Sequence, residues 1–178
     1  MSKGSAILIV ALALSIGAAA WFVWILKTHG FSAREKPSAV EAYLARHVRD
    51  LASPAGASSL KNPIAATPLD LAEARDHFAD HCAVCHANNG SGQTEVGRNL
   101  YPPSPDMRQS DTQGLADGEL FYIVKNGIRF TGMPGWGGDD EGNWKLVLFI
   151  RHLPQLSPKE LELMKEINGQ EPETENRH

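Results

Sequence analysis

The chain has 178 residues and a net charge of −4, enough length for one modest domain with appendages and no basic footprint for nucleic acid. Setting aside Lys3, 16 basic side chains face 21 acidic ones beyond the first 26 residues, a net of −5 that favours partners with a basic rim. Only two cysteines are present, so no disulfide framework is available.

Ser5 to Leu26 (SAILIVALALSIGAAAWFVWIL) is an unbroken run of 22 apolar or small residues. About 20 suffice to cross a bilayer as a helix, and Trp21 and Trp24 suit the membrane–water interface. The competing reading is a cleaved signal peptide with Ala18-Ala19-Ala20 at the cleavage site. Against it, the apolar run continues through Trp21–Leu26, and cleavage would leave an exposed greasy stub. Residues 1–26 are therefore read as a retained transmembrane anchor. The flanking charges, Lys3 on one side and Lys27, Arg34 and Lys36 on the other, do not by themselves put the N-terminus in the cytoplasm.

Residues 27–66 form an amphipathic helix and a linker. From Pro37 to Leu51, Val40, Tyr43, Leu44, Val48 and Leu51 fall on one helical face, with Glu41, Arg46, Arg49 and Asp50 opposite. Such a helix suits the membrane surface, the remaining domain or a partner subunit, or it is a spacer. Residues 52–66 are rich in Ala, Ser, Pro and Gly without periodicity and read as a linker.

A domain over 67–168 follows. Thr67-Pro68-Leu69-Asp70 announces a helix by cap, first-turn proline and capping-box acid. Leu71, Ala74, Phe78 and Cys82 continue it at helical spacing. At its end stands Cys82-Ala83-Val84-Cys85-His86, the attachment pattern for a c-type haem. Two thiols three positions apart on a helical turn add across the two vinyl groups of one porphyrin, and the adjacent imidazole lies under the iron. A zinc site would need two more soft ligands, and a thioredoxin-like pair belongs after a strand rather than a helix.

Ala87 to Gln113 is rich in Gly, Pro, Asn and Ser, a long loop suited to wrapping a cofactor. Asp117 is expected to cap a helix over Gly118–Asn126, ended by Gly127. A second loop, 128–142, contains Gly132-Met133-Pro134-Gly135. A helix over Asn143–Leu153 and another, capped by Ser157-Pro158-Lys159-Glu160 and running to Asn168, complete an all-α pattern. The tail, 169–178, is polar and reads as disordered.

Met133, 47 residues after His86, offers a soft thioether as the second axial ligand. Gly132 permits close backbone approach and Pro134 stiffens the loop. Met107, in a proline-rich loop, and Met164, in a packing helix, are weaker candidates. His81 reads as solvated and His152 as a helix-surface residue.

The Cys82–His86 motif, the Gly132-Met133-Pro134 turn and the aromatic-rich terminal helix resemble class I monohaem c-type cytochromes, particularly membrane-anchored bacterial domains, over about 67–168. That resemblance implies one covalent haem c held by Cys82 and Cys85, with His86 and Met133 on the iron. It also implies crossing N- and C-terminal helices that bring Phe78 near Trp144 or Phe149. A proline carbonyl, Pro102 or Pro103, would accept from His86, and Tyr101, Arg98, Arg129 and Trp136 would be within reach of the propionates. Because such haem is attached outside the cytoplasm, residues 27–178 would face the periplasm or outer side, whatever the flanking charges.

The implied function is single-electron transfer with redox partner proteins, membrane complexes among them, rather than catalysis. Two alternatives stay open: a haem subunit held permanently in a respiratory or photosynthetic complex, and an enzyme or gas sensor with a labile sixth ligand. One attachment motif disfavours a two-haem peroxidase.

Overall fold

In a computed structural model, residues 3–30 and 32–168 are described, so the 169–178 tail lies outside the described residues. The chain divides into two compact units, Met1–Glu35 and Lys36–His178. All regular structure among the described residues is helical.

The first unit is α1, Lys3–His29, somewhat longer than the apolar run. Its 27 residues buries none of their side chains. At 1.5 Å per residue it spans about 40 Å, more than a hydrocarbon core of about 30 Å.

The second unit opens with α2, Ala39–Ala52. It starts two residues later than expected, because Ser38, whose side chain accepts from Glu41 N–H, is its cap. The segment read as linker does not hang free. Ala57 is buried in a one-turn 3₁₀ helix, Asn62 donates to the Trp144 carbonyl at 2.9 Å, and Ile64 packs against the core. Small and polar residues hid this packing, since it uses single side chains and backbone rather than a periodic face.

Thr67 caps α3, Pro68–His77, through Asp70 N–H. The Asp70 carboxylate meets the Thr67 hydroxyl at 2.5 Å and also pairs with Lys145. The helical path continues through a π-turn, Phe78–Cys82, into α4, Ala83–His86. The 87–113 loop contains two one-turn helices, α5 (Glu95–Arg98) and α6 (Ser110–Gln113).

Helix α7 spans Asp117–Asn126 with Ala116, not Asp117, at its cap. Glu119 accepts from Ala116 N–H at 2.7 Å, which leaves the Asp117 carboxylate to bind Arg151 at 2.9 Å. Arg151 also donates to the carbonyls of Gln113 and Leu115, tying α8 to the chain entering α7. Helix α8 runs Asp140–His152, three residues earlier than expected, because Asp139 accepts from Gly142 N–H. Helix α9, Pro158–Asn168, has the anticipated reciprocal cap: Ser157 N–H donates to Glu160 at 2.8 Å, and Glu160 N–H to the Ser157 hydroxyl.

The core sits where α3 and its π-turn pack on α8, with α7 and α9 on the flanks. Phe78 and Phe149, both fully buried, meet at 5.2 Å between ring centroids, as the resemblance implied. Trp144 instead stacks on Phe121 at 4.3 Å. Burying a side chain of this size stabilises a fold by roughly 1.5–3 kcal/mol, so this aromatic seam holds in place the helix that carries both cysteines.

Candidate haem site

Cys82, Cys85 and His86 occupy one continuous helical stretch across the π-turn and α4. The π-turn adds a residue to one turn and so resets the facing of everything after Phe78, an arrangement frequent at functional sites. Both cysteines are half-buried and unbridged. Burial, with a smaller contribution from Cys85, pushes the Cys82 thiol up to about 12. Burial also raises Cys85. Redox-active dithiols need the opposite, a depressed thiolate, so this pair is not a thioredoxin-like centre. Among the described residues, no three of His, Cys, Asp and Glu converge as a cation site.

His86 ends α4 with its Nδ1 buried and without a hydrogen-bond partner. Neither Pro102 nor Pro103 therefore backs the imidazole, contrary to expectation. Burial lowers its basicity to a pKa of about 4, leaving a neutral ring with a free lone pair. That is the form in which histidine binds a metal.

The motif is clamped from the loop that follows it. The Thr94 hydroxyl donates to the Val84 carbonyl at 2.8 Å and lies 3.3 Å from that of Cys85. The same oxygen accepts from Gly97 N–H and so caps α5. Gly97 is obligatory there, because a Cβ would fall 2.1 Å from the Cys85 carbonyl oxygen. Gly92 N–H bonds the His86 carbonyl at 2.9 Å. From the far end of the domain, Asn168 donates to the Ala79 carbonyl and pairs with buried Asn88. Sequence reasoning missed Thr94, Asn88 and Asn168; the one available signal was a Thr immediately before Glu95, opening a one-turn helix.

Met133 is half-buried, whereas Met107 and Met164 are buried in the core, so among the described methionines it alone stands outside the packing. Its loop is pinned to the end of α7: Gly137 N–H donates to Lys125 at 2.9 Å, and Ile128 N–H to the Met133 carbonyl at 3.1 Å. The Thr131 hydroxyl accepts from Met133 N–H. Leu100, in the loop after the haem motif, fills the space beside Gly132 that a side chain would need. Trp136, three residues past Met133, lies 5.8 Å edge-on from the ring of His81, which directly precedes Cys82. The methionine loop and the cysteine turn are thus neighbours.

The remaining candidates separate. His81 is exposed beside Asp80, and the His152 Nε2 contacts Glu160 at 2.8 Å, so both stay outside the site. The Tyr101 hydroxyl bonds Glu41 of α2 at 2.5 Å instead of facing inward. Arg98 and Arg129 are exposed, and Trp136 is partly so. A buried imidazole nitrogen with no partner, two un-ionised thiols on one helical stretch and a thioether outside the core form a donor set that fits a covalently held haem.

No curated protein matches the sequence. Residues 69–150 match the family described as cytochrome c oxidase, cbb3-type, subunit III, a span running from the first turn of α3 to Ile150 in α8 and containing the cysteine turn and Met133. That match, on an all-helical domain with a Cys-x-x-Cys-His turn, supports a c-type cytochrome domain over residues 69–150 and, with it, haem-based electron transfer.

Proposed function

We propose that the chain is a membrane-tethered, single-haem electron carrier whose haem domain lies on the extracytoplasmic side. Cys82 and Cys85 would hold the cofactor through thioethers, and His86 and Met133 would be the residues that bind its iron. A haem held there supplies one-electron chemistry by cycling between ferric and ferrous iron. The protein's own residues fix the ligands, exclude water and tune the potential, which a thioether raises relative to a second imidazole.

The observation that carries this reading is the pairing of a neutral, buried His86 with the only described methionine outside the core, on loops joined through His81 and Trp136. The anchor reading rests on α1, which is long and apolar enough to span a bilayer with none of its spanning window buried. Tethering confines the domain to the membrane surface and raises its effective concentration toward integral partners.

A second reading, a haem subunit held in a larger oxidase-type complex, is favoured by the description of the matched family. Co-purification in mild detergent separates the two: a shuttle isolates alone, a subunit with its complex.

The test of the site is spectroscopic. Acid acetone should leave the porphyrin on the polypeptide at one iron per chain. The oxidised protein should show the weak near-infrared band of a sulfur–iron bond, and the reduced protein should resist CO. Met133→Ala should abolish the band, lower the potential and admit CO, while Met133→His stays six-coordinate at a lower potential. An unchanged Met133→Ala spectrum would place the ligand elsewhere.

A further inference from the structure

Helix α2 faces the wrong way for a helix that belongs to its own domain. Its apolar residues are its most exposed: Val40 67 %, Tyr43 54 %, Leu44 55 %, Val48 63 % and Leu51 86 %. The half-buried positions are Ala42 and Arg49, on the opposite side, and Glu41, on the flank beside Val48, accepts the Tyr101 hydroxyl. An amphipathic helix normally buries its apolar stripe; this one meets its domain with its small and polar back.

We infer that the Val40, Tyr43, Leu44, Val48, Leu51 face of α2 lies in the interface of the bilayer that α1 spans, so that the haem domain is held to the membrane at two points. The inference rests on the anchor reading of α1. Three observations select lipid over a protein partner.

The first is reach. Nine residues separate His29, the end of α1, from Ala39, the start of α2. Fully extended they cover at most about 30–35 Å, so the tether is short enough to keep α2 within reach of the surface of the bilayer that holds α1. The second is charge. Lys27, Arg34, Lys36, Arg46 and Arg49 outnumber Glu35, Glu41 and Asp50 along 27–50, although the whole chain carries a net −4. The basic excess lies beside the apolar stripe, and the acidic excess lies beyond it in the haem domain. Anionic headgroups attract the first and repel the second. The third is composition: aliphatic residues and one Tyr on the apolar side, with Arg46 and Arg49 on the other, make up an in-plane interfacial helix.

Orientation is the consequence. With α2 flat on the surface and its Glu41 flank bonded to Tyr101, the loop leading into Pro102–Pro105 is held toward the membrane. The haem domain then meets integral partners in a restricted set of orientations rather than tumbling on a free tether.

The test uses the full-length holoprotein, one copy per nanodisc of phosphatidylcholine and phosphatidylglycerol, with an apolar diazirine probe dissolved in the bilayer. After photolysis, adducts are mapped by peptide mass spectrometry. Adducts are expected throughout α1 and on Tyr43, Leu44, Val48 and Leu51, but not on Arg46 or Arg49. Leu44→Glu combined with Val48→Glu should reduce α2 adducts at least about tenfold, since burying one Leu or Val already shifts such an equilibrium by that factor. Adducts in α1 should not change. Labelled α1 beside unlabelled α2 would overturn the inference and leave the anchor standing. Unlabelled α1 would overturn the anchor and, with it, the inference. Labelling of α2 that requires two copies per disc would assign the face to a second chain instead.

Discussion

If Met133 is the sixth ligand, as proposed, Gly127→Ala should detach it without dismantling the domain. Gly127 closes α7 at φ +69° and ψ −170°, a region essentially reserved for glycine. Placing alanine there costs of order 1–3 kcal/mol in backbone strain alone. The larger problem is space: the added Cβ would stand 2.5 Å from Gly135 N and Pro134 C and 2.6 Å from Met133 O. These are backbone atoms of the ligand loop, so relief requires the loop to move. Moving it endangers the bonds from Gly137 to Lys125 and from Ile128 to Met133, each worth about 0.5–1.5 kcal/mol net. The closed loop should therefore lose about 2–6 kcal/mol, a rise of about 30- to 25,000-fold in its open population. CO binds the reduced iron through the open state alone, so its apparent affinity should rise by the same factor. Gly137→Ala is the control. It shares a positive φ, +59°, but its Cβ meets nothing within 4 Å, so it should lose some stability and keep the near-infrared band. A Gly127→Ala protein that resists CO as the wild type does, while losing the calculated stability, would refute the placement of the ligand in this loop.

Three further outcomes follow from the same geometry. Phe149→Ala removes the partner of Phe78 from a fully buried seam, and denaturant unfolding should show a loss of about 3–5 kcal/mol. Thr94→Val removes the hydroxyl that holds the Val84 carbonyl and caps α5; it should cost about 1–3 kcal/mol and shift the reduction potential, a readout that a merely structural cap would leave unmoved. Asp106 is held down to about 2 by the Arg108 guanidinium. Because its folded pKa lies below the unfolded value of 3.8, its stabilisation is full above pH 4 and is lost as pH falls toward 2. Asp106→Asn should flatten that part of the pH–stability curve by at most about 1 kcal/mol, since the pair is solvent-screened.

The local rules that worked in this sequence were those needing one residue and its near neighbours. Thr67 and Ser157 cap where their capping-box patterns put them, and Gly127 ends α7 with a positive φ. The rule failed at Asp117 because a distant cation, Arg151, competed for its carboxylate and Glu119 could serve the helix start without it. The meeting of the first domain helix with α8 through Phe78 and Phe149 came from resemblance, not from periodicity, since periodicity identifies an apolar face but not its partner.

The two features least legible in the sequence are both departures from regular helical facing. The π-turn over Phe78–Cys82 changes the register by one residue just where the Cys82–His86 motif begins. Drawn as an uninterrupted α-helix, Phe78 and Cys82 share a face, i to i+4. In the structure Phe78 is fully buried against Phe149, while Cys82 and Cys85 are only half-buried. A straight helix would have to sacrifice either the aromatic seam or the presentation of the thiols; the π-turn lets one segment do both. Helix α2 poses the reverse case. Its periodicity marks the apolar face, yet amphipathicity fixes only that one face avoids water, not which neighbour covers it. The neighbour here is selected by nine residues of tether and by where the basic side chains fall, information carried by the segments around the helix rather than by the helix itself.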